Sequence, residues 1–258
     1  MRLIHPQAIV DPKASLAANV EVGPWTFIGP DVEIDEGTVI GSHVVIRGPT
    51  KIGKHNKIFQ FASIGEDCQD KKYRGEPTRL EIGDHNIIRE GVTIHRGTVQ
   101  DKSLTLIGDD NLFMAYVHIG HDCQVGSHTV FANNAAIAGH VIVGDYAILG
   151  GYTNIHQFCQ MGPYSMSSIA SVIVKDVPAF LMVQGNNAKA HGMNFEGMRR
   201  KGFTKDEIDN LRQAYKIVYR QGLTLTEAVD KLDQEYSACE KTALFVKTLK
   251  NSTRGIIR

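Results

Sequence analysis

A large aliphatic residue returns at every sixth position along most of this chain, and that period excludes most folds. It stands at Ile4, Val10, Leu16, Val22, Ile28, Ile34, Ile40, Ile46, Ile52, Ile58 and Ile64. It resumes at Ile82, Ile88 and Ile94, and again from Ile107 through Phe113, Ile119, Val125, Phe131, Ile137, Val143, Leu149, Ile155 and Met161. It misses at Ser167 and returns at Ile173. With roughly a third of residues large and apolar, the first run has odds on the order of one in a hundred thousand by chance. An amphipathic helix needs a period near 3.6, so a long run at six is not helical.

A second column runs beside the first. Four residues after each aliphatic stands a small or β-branched residue, sometimes Asn, as at Ala8, Thr26, Thr38, Val44, Ala62, Val92, Cys123, Thr129, Ala135 and Thr153. Side chains two apart in a strand share a face, so both columns point inward. Each hexad is then one short strand plus a turn, and three hexads close a triangular coil of 18 residues. Coils stack at about 4.8 Å, and each buries its apolar column only against its neighbours, so many are needed. Gly often follows the aliphatic, as at Gly23, Gly41, Gly126 and Gly144, and is expected to supply unusual φ at the turn.

Two stretches interrupt the period: residues 66–80, EDCQDKKYRGEPTRL, and residues 99–106, VQDKSLTL. Loops that leave a regular scaffold often carry function. The repeat stops near Lys175 to Phe180. Beyond it, Thr204 with Glu207 and Thr224 with Glu227 form capping-box signals; a helix is expected to about Gln221, ended by Gly222, and another over about Glu240 to Lys250. The expected organisation is a parallel β-helix over 1–180 and a helical domain over 181–258.

The 28 basic and 28 acidic residues give zero formal charge, so nothing global suggests nucleic-acid binding. Cys68, Cys123, Cys159 and Cys239 show neither a CxxC pair nor zinc-like spacing and read as free thiols of a reducing compartment. No signal peptide and no apolar stretch of membrane-spanning length is visible, so a cytoplasmic protein without an integral membrane segment is expected.

Residues 18 apart stack. His121, Gly139 and Gln157 form one column, and Asp122 and His140 form its neighbour. His121 lies two places after the inward Ile119 and is expected to face outward. Histidine suits general-base chemistry near neutrality, a neighbouring Asp122 could orient its ring, and an exposed backbone N–H at Gly139 could stabilise an oxyanion. Such a set suggests acyl transfer to a hydroxyl without a Ser or Cys nucleophile. The competing reading is that of solvated surface histidines. His5, His43, His55, His85 and His128 are left as surface residues, and His95 and His156 are undecided. A second group, Asn194, Glu196, Arg199, Arg200 and Lys201 in MNFEGMRRKGF, could fork to phosphate and read a base, or could be a solvated basic helix.

The stretches QDKKYRGEPTR, IREGVTIHRGT, HIGHDC, AGHV, IHQFC and NFEGMRRKGF, with the ending STRGIIR, closely resemble the UDP-N-acetylglucosamine acyltransferase family over essentially the whole chain. The resemblance implies the left hand of the β-helix, which spacing alone does not prove. It also implies transfer of an (R)-3-hydroxyacyl group from acyl carrier protein to the glucosamine 3-hydroxyl, the first step of lipid A synthesis, in a homotrimer. The carrier thioester is a co-substrate, and no cofactor or metal is expected. By match to the motifs, His121 would be the base, Asp122 its orienting partner and Gly139 the oxyanion donor. Asp70 and Lys72 would contact the substrate, His118, His140 and Gln157 would line the sugar and acyl site, and Asn194, Glu196 and Arg200 would hold the uridine diphosphate. Family members using longer acyl chains carry Gly where this chain has Ile169, which implies a shorter acyl ruler here.

Three rivals remain open at this point. One is another acyl- or acetyltransferase on the same scaffold. Another is a trimeric zinc enzyme of the carbonic anhydrase kind using His118, His121 and His140. The third is a non-enzymatic β-helix, which the mixed outward columns over 118–157 disfavour.

Overall fold

The computed structural model describes residues 3–236 and 239–258. Each hexad contributes a strand of two to four residues, and three hexads complete one turn of a parallel coil. The strands stack into three sheets. Sheet one has nine strands, from Ile9–Val10 to Val172–Ile173; sheet two has eight, from Ser15–Leu16 to Gln160–Met161; sheet three has ten, beginning at Glu21–Val22. Every pairing is parallel except the last in sheet three, where Leu181–Gln184 meets Lys189–Met193 antiparallel, so the sheet continues past residue 180. The architecture is the left-handed parallel β-helix with a C-terminal helical region.

The register explains the hexad. Ile28 pairs with Ile46, Ile34 with Ile52 and Ile40 with Ile58, so like stacks on like inside the prism. Ile28, Ile46, Ile52, Ile64, Phe113, Ile119 and Phe131 are fully buried. Each such side chain contributes about 1.5–3 kcal/mol by leaving water. The second column is buried too, and its asparagine oxygens accept along the stack, although among the described residues the Asn111 Nδ2 is left without a partner. Asn56 Oδ1 accepts from Asn86 N–H, Asn86 Oδ1 from Asn111 N–H, and Asn111 Oδ1 from the N–H and hydroxyl of Thr129. Ser167 replaces an aliphatic but bonds through Oγ to Thr153 and the Gly150 N–H, which removes the cost of burying it.

The glycines do something other than expected. Left-handed φ falls two positions later, on Trp25, His43, Asp122, Tyr146 and their equivalents, with φ near +57 at Trp25 and +60 at Tyr146. A Cβ at Gly23 would instead meet the Gly41 backbone at 2.7 Å. These glycines permit close stacking of corners, and the turn conformation is borne by residues with side chains. Those side chains stack along the prism edges, as in His128–Tyr146–Tyr164–Phe180, at 4.6, 4.7 and 5.4 Å between ring centroids.

The first interruption is shorter than the broken period suggests and the second lies three residues earlier, because strands Arg79–Ile82 and Leu104–Ile107 have already rejoined the stack. The excursions cover 67–78 and 96–103. Ile52 pairs with Ile82, 30 positions on, and Ile82 with Ile107, 25 on, against 18 for Ile34 with Ile52. The insertions therefore add 12 and 7 residues without disturbing the register.

Among the described residues four helices follow: α1 (Phe195–Arg200), α2 (Lys205–Arg220), α3 (Leu225–Tyr236) and α4 (Glu240–Lys250). Thr204 and Glu207 make the expected capping box, and Gly222 takes φ +71 beyond the end of α2. Phe245 and Leu249 of α4 bury into the common core. The tail returns to the last coil, where buried Asp176 accepts hydrogen bonds from Ser252 Oγ, Thr253 N–H and Arg254 N–H at 2.7, 2.9 and 3.0 Å.

Candidate active site

The corner between sheets one and two carries Asp122, His140 and Phe158 in successive coils, with φ of +58, +63 and +65. His121 precedes Asp122 on that corner. It points away from the prism interior, as expected, yet is only 9% exposed, so it is more covered than an outward position implies. The 96–103 excursion shares its cleft, with Thr98 hydrogen-bonded to Asp122 and Asp101 to His140.

His121 Nδ1 lies 2.8 Å from Asp122 Oδ2. That contact assigns the Nδ1–H tautomer and leaves the Nε2 lone pair to accept a proton. The Asp122 carboxylate has no exposed side-chain surface. Burial raises its pKa, but hydrogen bonds from His121 and then Thr98 more than reverse this and hold it below its ordinary value. His140 stacks flat on Phe158 at 4.4 Å, meets His121 edge-on at 4.9 Å, and shares Nδ1 with Asp101 Oδ2 at 2.9 Å. On the other side of His121 sits Gly139, where a Cβ would fall 2.5 Å from His121 Nε2 and Cε1. Among the described residues, the Gly139 N–H joins none of the coil-to-coil hydrogen bonds made by its neighbours Ala138 and His140. An unengaged N–H thus adjoins the free edge of an oriented imidazole.

Two open clefts meet at this point. One, of about 330 Å³, is lined by Gln69, Asp70, His95, His118, His121, Gly139 and Gln157. The other, of about 460 Å³, is lined by Asp70, Lys72, Thr98, Asp101, His121, His140 and Phe158. The structure therefore gathers His121, Asp122, Gly139, Asp70, Lys72, His118, His140 and Gln157. It adds Gln69, His95, Thr98 and Asp101, which the sequence columns missed. His95 is buried, its Nδ1 bonded to the Asp67 carbonyl at 2.7 Å and its Nε2 near Gln69 at 3.2 Å. Buried Arg96 holds the base of the 67–78 loop through the Gly65 carbonyl, Asp67 and Tyr73. That loop presents Asp70 and Lys72.

The remaining positions lie elsewhere on the prism. Asn194 caps α1, its Oδ1 accepting from Gly197 N–H and its Nδ2 donating to the Tyr164 carbonyl, both at 3.0 Å. Glu196 pairs with Arg200 at 3.1 Å on the exposed face of α1. Tyr164 belongs to the corner between sheets two and three, so this group sits on a different edge from His121. Ile169 is 71% exposed beside Ala170, on the corner between sheets three and one. One chain alone does not bring these three groups together.

His118 Nδ1 bonds to Thr93 Oγ1 at 2.8 Å. Burial first, then the neighbouring His95 and His121, push its pKa from 6.5 down to about 4. It is thus neutral at neutral pH. The unfolded chain takes up this proton near pH 6.5 and the folded chain only near 4, so the folded state loses up to roughly 3 kcal/mol as pH falls through that window. Replacing His118 with Gln is expected to remove this loss. Urea unfolding at about pH 7.5 and about 4.5 reads it, and an undiminished acid sensitivity in the variant contradicts the assignment.

The histidine–zinc alternative is not supported. His118 is engaged with Thr93, apart from the one group among the described residues whose ligand atoms converge within 4.8 Å, His121, Asp122 and His140. In that group both Nδ1 atoms are taken by carboxylates. A thiol nucleophile is disfavoured as well, since burial pushes Cys123 up to about 12 and Cys159 up to about 11.

Residues 176–257 match the family described as Udp N-acetylglucosamine O-acyltransferase, Domain 2, and residues 13–48 and 105–139 match the bacterial transferase hexapeptide repeat. The chain is 62% identical, over 100% of both chains, to the acyl-[acyl-carrier-protein]--UDP-N-acetylglucosamine O-acyltransferase of Stutzerimonas stutzeri (strain A1501). Its fold is similar to that of UDP-N-acetylglucosamine O-acyltransferase from Moraxella catarrhalis RH4, with a TM-score of 0.98 and 53% identity over 99% of this chain and 100% of that one. The Francisella novicida UDP-N-acetylglucosamine acyltransferase gives a TM-score of 0.97 at 42% identity, covering 99% and 94%.

Proposed function

The chain belongs to the UDP-N-acetylglucosamine O-acyltransferase family, and on that footing we propose that it moves an (R)-3-hydroxyacyl group from acyl carrier protein to the 3-hydroxyl of UDP-N-acetylglucosamine. It is an acyltransferase of lipid A biosynthesis. The observation that carries the mechanism is the buried His121–Asp122 pair at 2.8 Å beside the free Gly139 N–H. His121 Nε2 takes the sugar hydroxyl proton as the oxygen attacks the thioester carbonyl. The Gly139 N–H stabilises the resulting oxyanion, and collapse expels the carrier thiolate, which recovers the proton from His121. Asp122 holds the ring and stabilises the imidazolium while it exists. His118, His140, Gln157, Asp70 and Lys72 line the substrate around these groups.

Asn194, Glu196 and Arg200 hold the nucleotide and Ile169 ends the acyl groove. Their placement on two other edges of the prism supports a homotrimer, in which one chain's edge completes another's cleft. A monomer by light scattering would overturn that assembly. Among the described residues no helix is long and apolar enough to cross a membrane, and the four free cysteines fit a cytoplasmic location.

The reaction is tested by supplying UDP-N-acetylglucosamine with (R)-3-hydroxyacyl carrier proteins of graded length and isolating the ester product. Failure with every donor would reject the donor class. In the same assay Ile169→Gly is expected to move the preferred donor to a longer chain by removing an exposed sec-butyl group. An unchanged preference would show that the groove ends elsewhere.

A further inference from the structure

We infer that Thr98, at the root of the 96–103 insertion, is a positioning residue for the reaction: it holds the Asp122 carboxylate that orients His121. The inference rests on the reading of His121 as the base. Thr98 N–H donates to both carboxylate oxygens, at 2.9 and 3.0 Å, and Thr98 Oγ1 donates to Oδ2 at 2.7 Å, the same oxygen that accepts from His121 Nδ1. The carboxylate is fixed from two directions before any substrate arrives.

Elsewhere in the inner column the threonine hydroxyl serves the coil. Thr26 Oγ1 donates to the Gly41 carbonyl and Thr38 Oγ1 to the Gly53 carbonyl. At Thr98 the insertion diverts the chain, and both the hydroxyl and the N–H turn to Asp122. The Thr98 carbonyl accepts the Asp101 and Ser103 N–H groups, at 3.3 and 3.0 Å, so the same residue anchors the loop that carries Asp101 to His140. A fixed carboxylate holds the imidazole plane, and loss of such alignment is read in turnover rather than in substrate binding.

The hydroxyl also shares the charge on Oδ2. Without it the full charge faces the imidazole and favours its protonated form. The other titratable groups around His121, namely His140, Asp101, Asp70, Lys72 and His118, are unchanged by the substitution, so a shift in the profile reports Thr98.

Thr98→Val, Thr98→Ser and His121→Ala are compared with the parent in full pH profiles. Thr98→Val is expected to lose about 10- to 50-fold in kcat with KM for both substrates nearly unchanged. The acid limb of its kcat/KM profile is expected to move to higher pH by about half a unit or more. Thr98→Ser is expected to restore both. If the valine variant does not fold, Thr98→Ala, which leaves space instead of a methyl against the carboxylate, is measured in its place against the same criteria. An acid limb that stays put, or a serine variant as impaired as valine, overturns the proposal. An active His121→Ala chain overturns the base reading instead, so the two failures are distinguishable.

Discussion

A His121→Ala chain is expected to keep its fold and to turn over about a thousandfold more slowly than the parent. Three features set that size. The imidazole is the only group in the cleft whose far nitrogen is free while its near nitrogen is committed to a buried carboxylate at 2.8 Å, among the described residues. Neither Cys123 nor Cys159 can substitute, since both thiols are held protonated by burial. His140 is close but has its Nδ1 tied to Asp101 and its ring face against Phe158. KM is expected to change little, because proton transfer is made only in the transition state. Steady-state kinetics with the best carrier thioester reads the outcome. More than a tenth of parental activity would move the base elsewhere in the cleft, with His140 the first candidate.

Gly139→Ala is expected to cost about a hundredfold in kcat, although it keeps the N–H that would meet the oxyanion. The added Cβ would lie 2.5 Å from the catalytic edge of His121, closer than carbon and nitrogen can approach. The ring cannot retreat freely, because Asp122 holds it on one side and His140 packs against it. A displaced imidazole with an intact N–H separates alignment from oxyanion stabilisation, which a larger backbone change would confuse. Circular dichroism and thermal melting check that the coil survives. Activity within about threefold of the parent would show that the ring gives way easily, and alignment would then contribute little.

The extent to which the sequence exposed this site depends on the distance over which contacts form. His121 and Asp122 are neighbours in the chain, and Gly139 and Gln157 follow at one and two coils, so the 18-residue column brings them together on paper. Thr98 and His95 escaped it. Each meets the site across the second insertion, where partners lie 25 apart and the column arithmetic fails. Once the insertion lengths are known, their places follow. The turn glycines mislead for a different reason. A glycine at a bend suggests left-handed backbone, but here the close approach of successive corners demands it, and that is a property of the stack rather than of the local chain. The sequence offers Asn194 as a nucleotide ligand or as part of a solvated basic helix. The residue also stands directly before a helix with its Oδ1 on the Gly197 N–H, a cap that an Asn at the head of a helical run signals.

The stacked coil behaves as a reading frame. One residue added within a strand would send every following side chain to the opposite face until the frame was restored, turning an isoleucine core outward. Twelve residues added after Glu66 and seven added after His95 leave the frame intact, because the strand beyond each simply docks on the next course. Change in length is therefore intolerable along the walls and nearly free at the corners. Both corners lie on the edge that carries His121, in the two coils before it, so this scaffold can vary its substrate contacts by indels while its core is held to substitution alone.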